Sequence, residues 1–464
     1  MGADARPRVA IVGAGPAGAF TASQLIRNGN SVDIDLIERL PTPWGLLRAG
    51  VAPDHGEIKR LDETFERTVF DKGCRFYGNV AIGTDVSHAE LMRHYHAVVY
   101  AVGAQTDRSL GIPGEELPGS LPATAFVGWY NGHPDYRDLQ PDLSGDTAVI
   151  IGNGNVAADV ARLLTRDPDE LARTDVADHA LAALRESNVR RVIVLGRRGP
   201  AQAAFTNAEL RELGRMAGVD VIVEEAEAEL DPVSAQWLLQ EGTFTARRNV
   251  ERLREYASAP RGVEARRSIE LRFLRSPVAI HGDDKVEAIE IVTNAIHHDE
   301  GGTLRARPVS DATETIACGL VLRSVGYRAV PLPDVPFDER AYVLPNERGR
   351  VLDVDTGEHV RGVYAVGWIK RGPTGILGTN KRDAEETVGA LVADLRAGTL
   401  NEPVEAGGVE QLLAGREDVV TVKGWRAIDD HEVAAGQAGE RPRVKLAERD
   451  ALLEAAGGLG AASR

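Results

Sequence analysis

Cysteine is scarce in this chain. Among its 464 residues there are two cysteines, Cys74 and Cys318, which lie far apart and form no Cys-x-x-Cys pair. A four-cysteine iron–sulfur cluster and an adjacent dithiol for disulfide reduction are therefore both excluded. Cys318 lies in an apolar run and is predicted to be a small core residue. Cys74 has no evident chemical partner and is predicted to be structural as well.

Long apolar runs and an excess of positive charge are also lacking. No segment approaches the roughly 18 consecutive apolar residues that a membrane span needs, and the N-terminus carries no apolar signal segment. The formal net charge of −16 argues against nucleic acid as a partner, because an acidic surface repels phosphates. We therefore expect a soluble, cytoplasmic protein that binds neither membrane nor nucleic acid, and we predict no metal site.

Glycine, in contrast, is abundant, with 49 residues. A first cluster, here called the first glycine turn (residues 13–18), follows the apolar run 8–12 and opens a helical pattern. A strand-like run then delivers Glu38, about twenty residues beyond the last glycine. Such glycines make a tight turn, admit a pyrophosphate to the backbone and let helix and strand pack closely, while the acid binds a ribose hydroxyl. This complete βαβ pattern predicts dinucleotide binding, against the alternative of a structural turn. The expected contacts are Gly13, Gly15, Gly18 and Glu38.

A second cluster, the second glycine turn (residues 152–157), has alanine at its third glycine position. It follows the strand-like run 148–151, but the next such run, 191–195, comes late because a polar, helical excursion is inserted. That run ends at Arg197 and Arg198, whose guanidinium groups match the oxygens of a 2′-phosphate. The pairing of these arginines with the turn is inferred from strand order, and the alternative is a solvated pair in a loop. Two dinucleotide sites, one for a phosphorylated ribose, indicate a flavoenzyme that accepts hydride from NADPH.

The order of these signals predicts one domain inserted into another. We predict an α/β fold with two Rossmann-like, three-layer dinucleotide-binding domains, the NADPH domain being inserted into the FAD domain. The FAD domain would comprise 1–106 and, with a C-terminal extension, 326–464; the NADPH domain would comprise 107–325. Two apolar strands that end in glycine mark the crossings between them. The segment after Gly398 suggests no chemistry.

Four blocks of the sequence resemble one known family. They are 41–55 (PTPWGLLRAGVAPDH), 152–159 (GNGNVAAD), 196–200 (GRRGP) and 367–380 (GWIKRGPTGILGTN). These blocks are similar to adrenodoxin-reductase-type NADPH:ferredoxin oxidoreductases, in particular to the bacterial members, and the likeness extends over about residues 8–395. The resemblance implies noncovalent FAD, NADPH as electron donor, and single electrons passed to a ferredoxin-type iron–sulfur protein.

The resemblance also implies roles for individual residues. Residues 44–50, here called the flavin loop, would offer an apolar wall to the flavin ring, although Trp44 taken alone is interpreted as a core residue. His55 and Glu212 are candidates for supporting catalytic roles near the nicotinamide. The further FAD contacts would be Ala17, Leu46, Ile82, Trp368, Gly375, Ile376 and Leu377. The NADPH contacts would be Asn153, Gly154, Asn155, Val156, Arg197, Arg198 and Glu209, with Gly375 near the nicotinamide.

The distribution of charge suggests how an acidic ferredoxin could bind an acidic protein. Arginines are concentrated between Arg247 and Arg275, and Arg211 and Arg215 follow the predicted 2′-phosphate site. A local basic face could steer an acidic partner, and the alternative is a solvated helix face with internal ion pairs. Three other functions stay open: a glutamate-synthase-type subunit, an NADPH-dependent monooxygenase, and an idle nucleotide-binding module. A glutamate-synthase-type subunit would usually carry N-terminal cysteines for iron–sulfur clusters, which this chain lacks. An idle nucleotide-binding module would need only one glycine turn.

Overall fold

The computed structural model describes residues 6–27, 29, 31–262, 265–375 and 377–457. The chain folds into two compact units. The first comprises Met1–Thr106, Asn131–Pro134 and Tyr327–Arg464, and the second comprises Asp107–Tyr130 and Asp135–Gly326. Within the described ranges, no helix is both long enough and apolar enough to cross a membrane.

The first unit is built on a sheet to which the described residues contribute seven strands. Two antiparallel strands at one edge adjoin a parallel set. In order across the sheet the strands are Asn346–Glu347, Arg350–Leu352, His359–Ala365, Ala97–Tyr100, Arg8–Val12, Asp33–Glu38 and Arg75–Gly78. The α-helices are Pro16–Arg27, Leu46–Ala49, Gly56–Lys59, Leu61–Thr68, His88–His94, Trp368–Arg371, Leu377–Ala397, Val409–Leu412, Val422–Gln437 and Arg449–Ala455, and Phe70–Lys72 is a 3₁₀ turn.

Both faces of this first sheet are buried. Along the strand Arg8–Val12, Val9 and Ile11 belong to one apolar cluster and Ala10 and Val12 to another, because successive side chains of a strand point to opposite faces. Helices Pro16–Arg27 and Leu377–Ala397 contribute to the first of these clusters. A sheet covered on both faces explains the near-continuous apolar strands of the sequence.

The second unit has a sheet in which all described strands run parallel. In order across the sheet they are Ser120–Pro122, Leu320–Arg323, Thr147–Ile151, Arg191–Gly196, Arg267–Phe273 and Val219–Ile222. The α-helices are Ala123–Tyr130, Asn155–Thr165, Pro168–Leu171, Asp178–Arg185, Asn207–Leu213, Glu225–Ala228, Pro232–Gln240 and Phe244–Ser258, with a 3₁₀ turn at Pro200–Gln202. A further 3₁₀ turn, Pro134–Tyr136, and the short strands Thr106–Asp107 and Tyr327–Arg328 lie where the chain passes between units.

One face of this second sheet packs against another sheet. Strands Arg275–His281, Ala288–His298 and Leu304–Ala317 form an antiparallel sheet. Its residues Ile289 and Ile291 share an apolar cluster with side chains of the parallel strands. The opposite face packs mainly against helices. The predicted α/β class with two Rossmann-like domains is confirmed, whereas this antiparallel sheet was not foreseen.

The C-terminal segment is part of the first unit's fold. Gly78 at the sheet edge forms an antiparallel bridge with Val420, and the hydroxyl of Tyr95 accepts a hydrogen bond from the Val409 N–H at 2.6 Å. Trp425 is 3 % exposed within the apolar core. Both cysteines are buried as predicted, and burial raises the pKa of the Cys318 thiol to about 12.

Candidate cofactor-binding sites

The first glycine turn joins the strand Arg8–Val12 to the helix Pro16–Arg27. Gly13 has a φ of +103°, and a Cβ at this position would lie 2.6 Å from the carbonyl oxygen of Ala101. A Cβ at Gly18 would lie 2.0 Å from the carbonyl oxygen of Gly13. At Gly15, in contrast, a Cβ would meet no described atom closer than 4.0 Å. The middle glycine thus keeps open the space that a pyrophosphate would approach.

Glu38 ends the strand Asp33–Glu38 and is buried beside the first glycine turn. Its Oε2 accepts a hydrogen bond from the Ala14 N–H at 2.9 Å, and its Oε1 accepts one from the Leu40 N–H at 3.1 Å. Burial raises the pKa of this carboxyl, although both backbone donors act in the opposite direction. Because each carboxylate oxygen can accept more than one hydrogen bond, Glu38 can hold the turn and still bind a ribose hydroxyl.

The flavin loop rests on the same turn. The Trp44 N–H donates to the carbonyl oxygen of Ala14 at 2.8 Å. Trp44 is 2 % exposed, and its ring centroid lies 5.4 Å from that of Phe65 and 4.9 Å from that of Phe70. Trp44 is thus a core residue, in agreement with the interpretation made for it alone. Leu46 is 37 % exposed and offers the apolar surface of this loop.

The segment that starts at Gly367 also packs on the first glycine turn. A Cβ at Gly367 would lie 2.6 Å from the Cβ of Ala17, and the Gly367 N–H donates to the buried carboxylate of Asp383. Trp368 begins the helix Trp368–Arg371 and is half-buried, with its ring centroid 4.9 Å from that of Tyr327. The structure therefore brings Trp368 into the same unit as Glu38 and close to the turn.

Three other residues predicted to bind FAD belong to the first unit. Gly375 is exposed with a φ of +86°, and Leu377 begins the long helix Leu377–Ala397. Ile82 is half-buried in a short turn that bridges to Val86. Ile376 lies outside the described residues.

The second glycine turn resembles the first in its backbone: one glycine is required by close packing and the next leaves open space. Gly152 has a φ of +124°, and a Cβ there would lie 2.1 Å from the carbonyl oxygen of Ser324. Gly154 precedes the helix Asn155–Thr165, and a Cβ on it would meet nothing within 4 Å. The side-chain oxygen of Asn155 accepts a hydrogen bond from the Thr206 N–H at 2.8 Å. The buried side-chain nitrogen of Asn153 has no hydrogen-bond partner among the described residues, so a donor is available beside this turn.

The arginine pair follows the strand that neighbours the second glycine turn. Strand Arg191–Gly196 pairs in parallel with Thr147–Ile151 despite its late position in the sequence. Arg197 and Arg198 are exposed, and among the described residues neither guanidinium has a carboxylate partner. Burial, followed by the charges of Arg197 and Arg305, lowers the pKa of Arg198. A bound phosphate would relieve this repulsion.

Glu209, predicted to contact NADPH, is held by a buried arginine. The Nη1 of Arg162 lies 3.0 Å from Oε2 of Glu209 and 3.7 Å from Oε2 of Glu212, and its Nη2 donates to Asp159 at 2.7 Å. Arg162 thereby joins helix Asn155–Thr165 to helix Asn207–Leu213, which carries both glutamates. His55 precedes the short helix Gly56–Lys59 and is half-buried. Val156 is also half-buried, in the first turn of its helix.

A cavity of about 590 Å³ beside Arg198 was not foreseen from the sequence. Trp237 lines it, together with Gln202 and the turn 301–304. The side-chain nitrogen of Gln202 donates to Ser234 at 3.1 Å, while its buried side-chain oxygen has no partner in the described part of the chain. The lining of the cavity combines polar and aromatic side chains. The lining residues come from distant parts of the chain, so no local pattern could reveal them.

The two glycines of the second turn, Gly152 and Gly154, should respond differently to substitution by alanine. Gly152→Ala should destabilise the protein by about 1–3 kcal/mol or more, because it combines a left-handed φ with a backbone clash. Gly154→Ala should change stability by less than about 0.5 kcal/mol, because its new methyl group meets no protein atom. Urea unfolding of both variants measures the difference. Equal losses in the two variants would contradict this assignment of the turn.

Comparisons with known proteins agree with this architecture. Residues 7–233 match the family model described as pyridine nucleotide-disulphide oxidoreductase. The NADPH-ferredoxin reductase FprA of Mycobacterium tuberculosis is 47% identical, with 97% of this chain and 99% of that protein covered. The mitochondrial NADPH:adrenodoxin oxidoreductase of Mus musculus is 42% identical over 97% of this chain and 92% of its own.

A solved structure gives the same result for the whole fold. The structure of M. tuberculosis FprA in complex with NADPH superposes with a TM-score of 0.91 at 45% identity, covering 98% of this chain and 100% of that one. The family resemblance drawn from the four sequence blocks is confirmed. This chain belongs to the adrenodoxin-reductase-type family of NADPH:ferredoxin oxidoreductases and is an oxidoreductase of that family.

Proposed function

We propose that this enzyme accepts hydride from NADPH on a noncovalent FAD and passes single electrons to a ferredoxin-type iron–sulfur protein. The enzyme uses FAD and NADPH, as its family does. The observation that carries the assignment of the two sites is their opposite charge at equivalent positions. A buried acid, Glu38, ends the strand beside the first turn, and an arginine pair follows the strand beside the second. The cytoplasmic location expected from the sequence stays a prediction.

FAD would be held by the first unit. Gly15 leaves room for the pyrophosphate at the N-terminus of helix Pro16–Arg27, and the Glu38 carboxylate accepts hydrogen bonds from the ribose hydroxyls. Leu46 and Trp368 would contact the flavin ring from the flavin loop and from the segment after Gly367. The remaining proposed contacts are Gly13, Ala17, Gly18, Ile82, Gly375, Ile376 and Leu377.

NADPH would be held by the second unit. Gly154 leaves the space for its pyrophosphate, while Arg197 and Arg198 bind the 2′-phosphate through charge-assisted hydrogen bonds. The cavity beside Arg198 has the size to receive the adenosine end. Asn153, Asn155, Val156 and Glu209 would complete the site, and Gly375 of the first unit is proposed to lie near the nicotinamide.

FAD, when bound, supplies the chemistry that joins a two-electron donor to a one-electron acceptor. The residues of the chain bind and orient the nucleotides and exclude water around them. No nucleophile is required. His55 and Glu212 are proposed to act near the nicotinamide, where an imidazole and a carboxylate can hold or release a proton.

An anaerobic visible spectrum tests the proposed function directly. The purified protein should be yellow, should bleach at far lower NADPH than NADH, and should recover its colour as oxidised ferredoxin is added. A protein that stays colourless after FAD is supplied would contradict the proposal. If NADPH bleaches the flavin but ferredoxin cannot reoxidise it, the assignment as a flavoenzyme stands and the assignment of ferredoxin as its partner is rejected.

The choice of nucleotide should depend on the arginine pair. In the double variant Arg197→Gln and Arg198→Gln, the preference for NADPH over NADH should fall about 10- to 100-fold, the equivalent of one or two charged hydrogen bonds. Gly154→Ala should weaken the binding of NADPH and of NADH to the same extent, because both nucleotides contain the pyrophosphate. Arg191→Gln, at the start of the same strand and paired with Glu270, is the control. An unchanged preference in the double variant would reject the 2′-phosphate assignment.

A histidine substitution tests the proposed role of His55. In His55→Ala, the rate of flavin reduction by NADPH in stopped flow should fall by at least about tenfold, in line with the loss of a positioned proton-transfer group. His359→Ala is the control, since His359 is exposed and pairs with Glu347. If flavin reduction and NADPH affinity both match the wild type, His55 has no such role.

The basic docking face is proposed with a narrower set of arginines than the sequence suggested. Arg272 lies 2.9 Å and Arg275 2.8 Å from the Glu227 carboxylate, and Arg272 also lies 3.1 Å from Glu314, so two carboxylates offset the two guanidinium charges. Helix Phe244–Ser258 packs beside helix Asn207–Leu213, where the Tyr256 hydroxyl donates to the Leu210 carbonyl oxygen at 2.6 Å. On and next to these two helices, Arg211, Arg215, Arg247 and Arg254 are exposed and have no carboxylate partner among the described residues, whereas Arg248 pairs with Glu251 at 2.7 Å.

Reduction of ferredoxin should therefore be salt-sensitive. In the double variant Arg211→Gln and Arg254→Gln, kcat/KM for an acidic ferredoxin at low salt should fall about tenfold, and its salt dependence should become shallower. Ferricyanide reduction should not change. Arg361→Gln, an exposed arginine of the first unit that pairs with Glu402, is the control. If the double variant and Arg361→Gln change ferredoxin reduction equally, the docking face lies elsewhere.

A further inference from the structure

The C-terminal segment carries a buried carboxylate that contacts the flavin loop. We propose that Glu432 is a positioning residue, which acts through Arg48 to hold the flavin loop in the conformation that receives FAD. This inference rests on the proposed function, because it assigns the flavin ring to that loop. It gives a role in the reaction to a part of the chain in which no sequence motif indicated chemistry.

The contact between the two residues is a bidentate ion pair. Arg48 Nη1 donates to Glu432 Oε2 at 2.8 Å, and Nη2 donates to Oε1 at 2.6 Å. The Glu432 side chain is fully buried and that of Arg48 is 10 % exposed. Arg48 lies in the short helix Leu46–Ala49 of the flavin loop, and Glu432 lies in helix Val422–Gln437. Two parallel hydrogen bonds fix both the distance and the orientation of the guanidinium plane.

Other residues of the C-terminal segment contact the same point. The Lys445 ammonium donates to the main-chain carbonyl oxygen of Arg48 at 3.1 Å. The Arg48 guanidinium carbon lies 5.7 Å from the ring centroid of Trp425, a distance compatible with a cation–π contact. The Leu446 N–H donates to Oε1 of Glu432 at 2.8 Å. The side chain and the backbone of Arg48 are therefore both held by the C-terminal segment.

The flavin loop needs such support because its backbone is strained. Trp44 has a φ of 77° although it is not glycine, and such a conformation persists only when the surroundings impose it. The next residue, Gly45, has a φ of +48°, and a Cβ there would lie 3.0 Å from the Cα of Gly15. A displacement of Arg48 would therefore be passed to the first glycine turn through contacts with no spare room.

The charge of Glu432 is maintained by its surroundings. Burial alone would raise its pKa, but Arg48 and Arg443 together outweigh burial, and the pKa of Glu432 is lowered. A buried carboxylate must be paired to remain charged, and removal of one partner leaves the other buried and unpaired. Glu432→Gln keeps the shape of the side chain but removes the charge that orients Arg48.

The same helix offers a matched control. Arg426 also joins helix Val422–Gln437 to the rest of the first unit, at 2.6 Å from Glu66 and 2.6 Å from Asp71. This contact anchors the helix on the surface and does not involve the flavin loop. Arg426→Gln therefore tests whether loosening the helix alone explains any effect of Glu432→Gln.

The experiment measures how fast the holoenzyme releases FAD. Release is followed by the rise of flavin fluorescence after dilution, together with the visible absorption spectrum of the bound flavin and the melting temperature. In Glu432→Gln, release should be faster by about tenfold or more, the scale of effects from displaced positioning groups, and the absorption band should shift. Arg426→Gln should leave the release rate and the spectrum unchanged. Glu432→Asp should restore part of the wild-type behaviour.

The outcomes separate this proposal from the function on which it rests. If the wild type binds no FAD, the proposed function fails and this inference fails with it. If the wild type holds an NADPH-bleachable flavin and Glu432→Gln releases it no faster than Arg426→Gln, only the positioning role is overturned. If Glu432→Gln does not fold, Arg48→Lys replaces it, since lysine keeps the charge but loses the bidentate geometry. Wild-type release from Arg48→Lys would then overturn the proposal.

Discussion

Contact of backbone with backbone at the first glycine turn is the constraint on which the first unit depends. Helix Pro16–Arg27 can approach the strand Arg8–Val12 because Gly18 presents no side chain to the carbonyl oxygen of Gly13. The flavin loop packs on the same turn through main-chain contacts of Trp44 and Gly45, and the segment beginning at Gly367 can approach the Ala17 side chain because Gly367 has none of its own. Three distant parts of the chain thus meet where one backbone leaves its strand. Under the proposed function, the N-terminus of helix Pro16–Arg27 would direct its backbone N–H groups at the FAD pyrophosphate.

The second unit has a similar glycine turn, but the side chains at the end of the neighbouring strand carry the opposite charge. In the first unit the acid is buried and accepts hydrogen bonds from two backbone donors, which fix its position, and it is the group proposed to accept hydrogen bonds from ribose hydroxyls. In the second unit the arginines are exposed and repel one another, a charge arrangement that fits the 2′-phosphate proposed to bind there. The proposed selectivity between the two nucleotides therefore rests on a few side chains at strand ends.

The C-terminal segment completes the first unit. It pairs with the edge strand at Gly78, fills the core with Trp425 and contacts the flavin loop through Glu432. An edge strand that is covered in this way presents fewer unpaired backbone groups to other chains. The segment is consequently a structural component of the unit, although its composition, rich in glycine, glutamate and alanine, resembles a simple extension.

What the sequence determined by itself is the local chemistry. The glycine spacing, the apolar runs before it, Glu38 and the arginine pair are properties of short segments, so they predicted the α/β class and the two glycine turns without any tertiary information. The four sequence blocks identified the family. The inferred adjacency of strand Arg191–Gly196 to the second turn was also correct, because parallel strands of such a unit follow a restricted order.

What only the tertiary structure decided is how distant residues meet. The antiparallel sheet beside the second unit, the cavity next to Arg198 and the ion pair between Arg48 and Glu432 join residues that are far apart in the sequence, so no local pattern encodes them. The same holds for Trp44, whose role as a core residue depends on Phe65 and Phe70 packing against its ring. Burial and pairing are properties of the packed chain, and they determine which of the chemically able residues are free to bind a ligand.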